Sequence, residues 1–134
     1  MPLKAGIADV VVEGWSFAHT VAWSPEDWRG QIGRMLEEMK RLLRPNGVAI
    51  LLETMGTGNK QPAPPTEGLA ELYQWWEQEQ GFEYRWVRTD YQFESVQEAD
   101  ELTRFFFGDE LADKLVKEQT TILPECTGIW WRRF

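Results

Sequence analysis

Cysteine and histidine are almost absent from this chain of 134 residues, which contains only Cys126 and His19. One cysteine cannot form an internal disulfide, and one cysteine with one histidine provides too few ligands for a structural zinc site. The sequence therefore predicts no metal site. Such sparing use of cysteine is typical of a reducing compartment, so we expect a cytoplasmic protein.

Basic residues are also scarce, with 14 Lys and Arg against 22 Asp and Glu and a net charge of −8 at pH 7. A surface of this sign repels the phosphate backbone, so we expect no nucleic-acid binding. No run of about 18 apolar residues occurs, and residues 1–6 lack the apolar core of a signal peptide. Neither a membrane span nor secretion is expected.

The composition is that of a folded protein, with 43% hydrophobic and 27% charged residues. Apolar runs predict four strands, and apolar residues at steps of three and four predict helices between them. The first strand is so continuously apolar that we expect it to be covered on both faces. The predicted strands cover residues 8–17, 48–52, 82–87 and 127–131.

Capping residues place the predicted helices. Ser24, followed by Pro25 and two acids, is expected to begin a helix that ends before a turn at residues 44–47. Residues 55–66 are rich in glycine and proline and are predicted to form a surface loop. Further helices are expected around residues 69–76, from Ser95, and after Gly108. The expected apolar face of the helix from Ser95 consists of Ala99, Leu102, Phe105 and Phe106.

The order of these elements resembles the C-terminal half of class I S-adenosylmethionine (SAM)-dependent methyltransferases, over nearly the whole chain. Three strings carry the resemblance: A-D-V-V-V-E-G-W-S-F-A-H at 8–19, R-L-L-R-P-N-G at 41–47 and V-A-I-L-L-E-T at 48–54. Asn46 stands where glycine is commoner in the family. The resemblance implies an α/β fold, half of a Rossmann-like methyltransferase sheet of about four strands with helices on both faces. The implied strand order is first, second, fourth, third, with the last strand antiparallel.

The resemblance departs from the family in its cofactor motifs. The glycine-rich loop and the acid that binds the ribose hydroxyls belong to a front half with no counterpart before Ala8. Gly56-Thr57-Gly58 runs into prolines rather than a helix, which does not favour a cofactor loop. We therefore expect residues 1–134 to be a single truncated methyltransferase-like domain. In isolation it is expected to bind SAM weakly or not at all.

The same departure predicts a partner. By the resemblance, the strand that would cover the outer edge of the first strand belongs to the missing half. An apolar edge without proline or lysine is a template for pairing with another chain. We expect a homodimer through this edge; the alternative is a separate chain that carries the cofactor half.

Candidate site residues follow the strand ends, where open α/β sheets bind ligands. His19 is the predicted catalytic residue or substrate contact, because imidazole titrates near neutral pH. A loop histidine bonded to the backbone is the alternative. Trp15 and Ser16 are the predicted cofactor contacts, although a packing tryptophan is an equal possibility.

The predicted substrate-binding residues lie at the ends of the second and third strands. They are Glu53, Thr54, Thr57, Asp90 and Tyr91. The first three are expected to converge with His19 on one rim of the sheet. A carboxylate that caps a loop, or an aspartate that forms a turn, is the structural alternative.

Two functions remain open from the sequence. The first is SAM-dependent methyl transfer to an unidentified small molecule, and the second is a non-catalytic binding or oligomerisation module derived from a methyltransferase. A Cys126–His19 nucleophile pair is not favoured, because no residue is evident that would orient it. The eight tryptophans suggest carbohydrate binding, but Trp28 and Trp76 lie on apolar helix faces and are predicted to be core residues.

Overall fold

The computed structural model describes residues 2–134, which form six strands and five helices. The elements are β1 (Ala8–Gly14), α1 (Phe17–Trp23), α2 (Trp28–Leu42), β2 (Leu43–Thr57), α3 (Glu67–Gln78), β3 (Glu83–Arg88), β4 (Tyr91–Gln92), α4 (Val96–Phe107), α5 (Asp109–Glu118), β5 (Ile122–Leu123) and β6 (Glu125–Arg133). The predicted α/β class is confirmed. None of the helices within these residues has the length and apolarity needed to cross a bilayer; the cytoplasmic location stays a prediction.

The main sheet has the strand order β1-β2-β6-β3. β1 and β2 are parallel, whereas β6 is antiparallel to both of its neighbours. Since β6 is the last of the four predicted strands, the expected order and the antiparallel last strand are confirmed. β4 and β5 form a separate ladder of two residues each, and the sequence analysis did not predict it.

The helices cover the two faces of the main sheet unequally. The buried side of β2, which includes Ala49 and Leu51, shares one core with α1, α2 and α3. On the opposite face, Val10 and Val12 are 51% and 56% exposed. The prediction that the first strand is covered on both faces is therefore wrong for residues 2–134. Helices α4 and α5 pack mainly on each other and on β5.

Trp130 of β6 is the centre of an aromatic cluster in this core. It is fully buried. Its ring stacks on Tyr73 and Tyr84, with ring centroids 4.4 Å and 4.9 Å away, and meets Trp76 edge-on at 5.2 Å. Its indole N–H donates to Glu77 Oε1 at 3.1 Å. The cluster thus joins β6 to β3 on one side and to α3 above the sheet.

Helix boundaries near the N-terminus differ from the predictions. Residues 15–17, predicted as the end of the first strand, lie outside β1, which ends at Gly14, and helix α1 begins at Phe17. Helix α2 begins at Trp28 with Asp27 as its N-cap, not at Ser24. The reason is that Ser24 ends α1, where its N–H donates to the Thr20 carbonyl at 2.9 Å. Trp28 and Trp76 are buried, as predicted.

Strand β2 is longer than predicted at both ends. Residues 44–47, predicted as a turn, bulge out of the strand: Ala8 pairs with Leu43, but Val10 already pairs with Val48. At the other end β2 runs to Thr57, which pairs with Glu125. Residues 55–57 are therefore not part of the predicted loop, because β6 supplies the partner that the local sequence does not reveal.

The predicted apolar face of α4 is only partly buried. Ala99 is buried, but Phe105 and Phe106 are 80% and 66% exposed. The helix packs on α5 and β5 through the side that carries Ala99, which leaves both phenylalanines outside this contact.

We expect Trp130→Ala to lower the free energy of unfolding by about 3–5 kcal/mol, because it removes a buried indole and leaves a cavity. Urea denaturation measures this change. Trp23→Ala is the matched control; Trp23 is 78% exposed, so its loss should change stability by less than about 0.5 kcal/mol. Equal effects of the two substitutions would show that the aromatic cluster does not hold the sheet together.

Candidate functional site

Glu13, near the end of β1, caps the helix that follows. Its Oε1 accepts hydrogen bonds from the Ser16 N–H at 2.7 Å, the Ser16 hydroxyl at 2.6 Å and the Phe17 N–H at 3.1 Å. The first N–H groups of a helix have no partner within the helix, so a carboxylate at this position stabilises its start. Trp15, between strand and helix, has a φ of 55°, and this left-handed residue makes the tight turn possible.

Glu53, on the neighbouring strand β2, supports the same helix start. Its side chain is only 1% exposed, and its Oε1 accepts a hydrogen bond from the Ala18 N–H at 2.9 Å. Burial raises the pKa of Glu53 to about 7, and the nearby charge of Glu13 adds to this effect. Two carboxylates thus meet at the carboxyl end of the parallel pair, and one of them titrates near neutral pH.

His19 lies on α1, directly after the residue that binds Glu53. It is exposed, and its ring stacks on Trp23 with a centroid distance of 5.2 Å. Among residues 2–134 its imidazole has no hydrogen-bond partner. The alternative, a histidine in a loop whose ring bonds to the backbone, therefore does not describe His19. The structure thereby places Ser16, His19 and Glu53 around the start of α1. We call this set the α1 rim.

Thr54 and Thr57 lie further along the same edge, around an acid that the sequence analysis missed. The Thr54 hydroxyl donates to Glu125 Oε1 at 2.9 Å, and Thr57 pairs with Glu125 across β2 and β6. Glu125 is buried, and its second oxygen has no partner among the described residues. One signal in the sequence could have identified Glu125: it is an acid just before the last predicted strand, which is mostly apolar.

Asp90 and Tyr91 occupy two different environments. Arg88 donates to both oxygens of Asp90 at 2.8 Å and 2.7 Å and holds the pKa of that carboxyl below its usual range. Asp90 also accepts the Glu125 N–H at 3.1 Å. Tyr91 is exposed on β4 beside Phe107. The expected substrate residues therefore separate into two groups. Glu53 belongs to the α1 rim, whereas Thr54, Thr57 and Asp90 surround Glu125. Tyr91 belongs to neither group.

The polar groups around the predicted cofactor contacts Trp15 and Ser16 already bond to one another. SAM needs oxygen acceptors for its ribose hydroxyls and contacts for its amino and carboxylate groups. Near the predicted contacts Trp15 and Ser16, Glu13 Oε1 already accepts three bonds from the turn and helix start, and Oε2 is buried. The Ser16 hydroxyl is itself bound to Glu13. These hydrogen bonds stabilise the turn between β1 and α1.

The fold of the chain resembles that of other solved structures, two of which are described below. A scan of protein-family models and a search of curated proteins find no match. A "putative type II methyltransferase" from Anaeromyxobacter dehalogenans shares the fold with a TM-score of 0.55 and 12% identity, over 98% of this chain and 66% of its own. A "putative methyltransferase" from Bacillus halodurans gives a TM-score of 0.45 and 15% identity, over 99% and 67%.

The chain therefore spans about two thirds of the length of both proteins. At these identities the likeness concerns the fold alone. The first of the two shows that the fold is methyltransferase-like.

We expect Glu53→Gln to flatten the pH dependence of stability. The native state keeps the Glu53 proton up to about pH 7, whereas the unfolded chain loses it near the ordinary pKa of 4.5. Wild-type stability should therefore fall by roughly 1–3 kcal/mol as pH rises from about 5 to about 8, and the variant should lack most of this fall. Urea denaturation across this range measures the difference.

Glu37→Gln, on the exposed side of α2, is the matched control and should keep the wild-type slope. A slope that Glu53→Gln leaves unchanged would mean that Glu53 is already ionised throughout this range.

Proposed function

From its methyltransferase-like fold, we propose that the chain is the acceptor-side part of a SAM-dependent methyltransferase that acts on a small molecule. The position of β6 is the observation that carries this proposal. An antiparallel last strand between the second and third strands is the arrangement implied by the resemblance to class I methyltransferases. The common dinucleotide-binding sheet is mostly parallel and adds its strands in a different order.

In this proposal the α1 rim faces the methyl acceptor. Methyl transfer depends above all on a well-positioned nucleophile, so the main task of the rim is to hold the acceptor in place. His19, exposed and without a hydrogen-bond partner among residues 2–134, accepts the proton that a hydroxyl or amine acceptor loses. Glu53 holds the helix that carries His19.

SAM supplies the methyl group when it is bound. The proposal includes polypeptide from outside residues 1–134, on the same chain or another, or a second copy, that supplies the remaining contacts of SAM. Within residues 1–134, Trp15 and Ser16 are the proposed contacts of the cofactor. Thr54, Thr57, Asp90 and Tyr91 remain the proposed further contacts of the acceptor.

The uncovered edge of β1 favours a second function, that of an association module. A groove of about 870 Å³ follows this edge, between β1 and α2. Val10, Val12 and Met35 line it and are all exposed. β1 contains no lysine or proline to prevent pairing with another strand. We propose that a second copy of the chain covers this edge, because that partner is always present at the chain's own concentration.

The catalytic proposal is tested on the protein at the length in which its own cells make it. We expect calorimetry to detect binding of SAM or its demethylated product, and tritiated SAM to label a small molecule in an extract of those cells. His19→Ala should lower the labelling rate by about 10²–10⁴-fold without changing the melting temperature, and added imidazole should restore part of it.

Failure of that protein to bind either compound would contradict the catalytic proposal. For residues 1–134 alone we expect only weak SAM binding or none. A dissociation constant near or below about 1 μM would contradict the need for further polypeptide.

The association proposal predicts a dimer of residues 1–134 at tens of micromolar, measured by light scattering coupled to size exclusion. Val12→Lys should dissociate it, because the new charge lies in the groove along β1. Val87→Lys is the matched control: Val87 is an exposed valine on β3, the opposite edge strand of the sheet, and the dimer should persist. A wild-type monomer, or equal loss of the dimer in both variants, would overturn the proposal.

A further inference from the structure

A second cavity lies apart from the α1 rim, where β3 ends and β6 begins. Its volume is about 510 Å³, within the range of small-molecule sites. The loop after β2, the end of β3, helix α5 and β5 form its walls. Leu111, Leu115 and Ile122 give it an apolar side.

The polar side of this cavity carries positive charge in an otherwise acidic protein. Lys60, Arg88 and Lys114 line it from three different elements, together with Asp90 and Glu118. Arg88 and Asp90 neutralise each other through their two hydrogen bonds. Among residues 2–134, neither Lys60 nor Lys114 forms a salt bridge. With Glu118 counted against Lys60 and Lys114, the lining carries a net charge of +1, while the whole chain carries −8.

The loop that presents Lys60 is fixed to the start of β6. The Gly58 N–H donates to the Pro124 carbonyl at 2.7 Å, and the Cys126 thiol donates to the Asn59 carbonyl at 3.3 Å. Gly58 has a φ of 82°, and a Cβ there would lie 2.5 Å from Leu111 Cδ2, so the loop lies directly against α5. The backbone that carries Lys60 is thus held in place before any ligand arrives, which reduces the entropic cost of binding.

We propose that this cavity binds a small organic carboxylate. The carboxylate group lies between the ammonium groups of Lys60 and Lys114, and an apolar body packs against Leu111, Leu115 and Ile122. Anion binding follows from the cavity alone. Because the cavity lies apart from the α1 rim, this site is independent of the proposed methyl-transfer site.

The test measures binding of benzoate to residues 1–134 by calorimetry, with benzamide as the neutral isostere and phenyl phosphate as the alternative anion. We expect benzoate to bind at least about tenfold more tightly than benzamide, because only the anion gains from the lysines. The double variant Lys60→Gln/Lys114→Gln should weaken benzoate binding by about tenfold or more. Lys117→Gln, an exposed lysine on the same helix that does not line the cavity, should leave it within about twofold.

Equal binding of benzoate and benzamide, or undiminished binding to the double variant, would overturn the anion site. Tighter binding of phenyl phosphate than of benzoate would overturn the choice of a carboxylate. The proposed function fails separately: if the protein at its cellular length binds benzoate but neither SAM nor its product, the anion site is supported and the methyltransferase proposal is contradicted.

Discussion

The rest of the structure depends on the insertion of β6 between β2 and β3. β3 has no other partner in the main sheet, so its place is set entirely by its ladder with β6. The same strand carries Trp130, whose ring packs against both α3 and β3. Its first residue, Glu125, binds Thr54 of β2 and, through its N–H, Asp90 beyond β3. One strand therefore determines both the core and the arrangement of polar groups at the sheet edge.

Glu13 and Glu53, the two carboxylates at the carboxyl end of the parallel pair β1 and β2, have a structural role, because they hold the start of α1 in place. Glu13 and Glu53 bind the backbone of three successive residues where α1 begins, which brings His19 to the end of the parallel strands. A buried glutamate with a pKa of about 7 is costly to keep ionised, and such groups are common at functional sites. This arrangement is consistent with the proposed role of the α1 rim in positioning an acceptor.

The sequence predicted the sheet well because its four strands are apolar and its order was implied by the resemblance. It did not predict α1, whose start is held by the local carboxylate of Glu13 and also by Glu53, which lies 35 positions away from Ala18. Glu125 was missed for a similar reason, since its partner Thr54 is 71 positions away. Local amphipathicity also assigned Phe105 and Phe106 to the core, although the contact of α4 with α5 uses another side of the helix. These features depend on contacts with residues far away in the sequence, and the spacing of apolar residues does not predict such contacts.

β6 follows β3 along the chain, yet in the sheet it lies between β2 and β3. β1 and β2 are parallel neighbours and can pair as soon as β2 has emerged. β3 emerges next and finds no strand to join, because β6 must first be placed between it and β2. Until residues 125–133 leave the exit tunnel, the nascent chain carries an open edge on β2 and an unpaired β3. Sheets that depend on such non-local pairings form slowly and expose strand edges meanwhile. The interval between the synthesis of β3 and the synthesis of β6 is therefore the period in which this sheet most needs a chaperone.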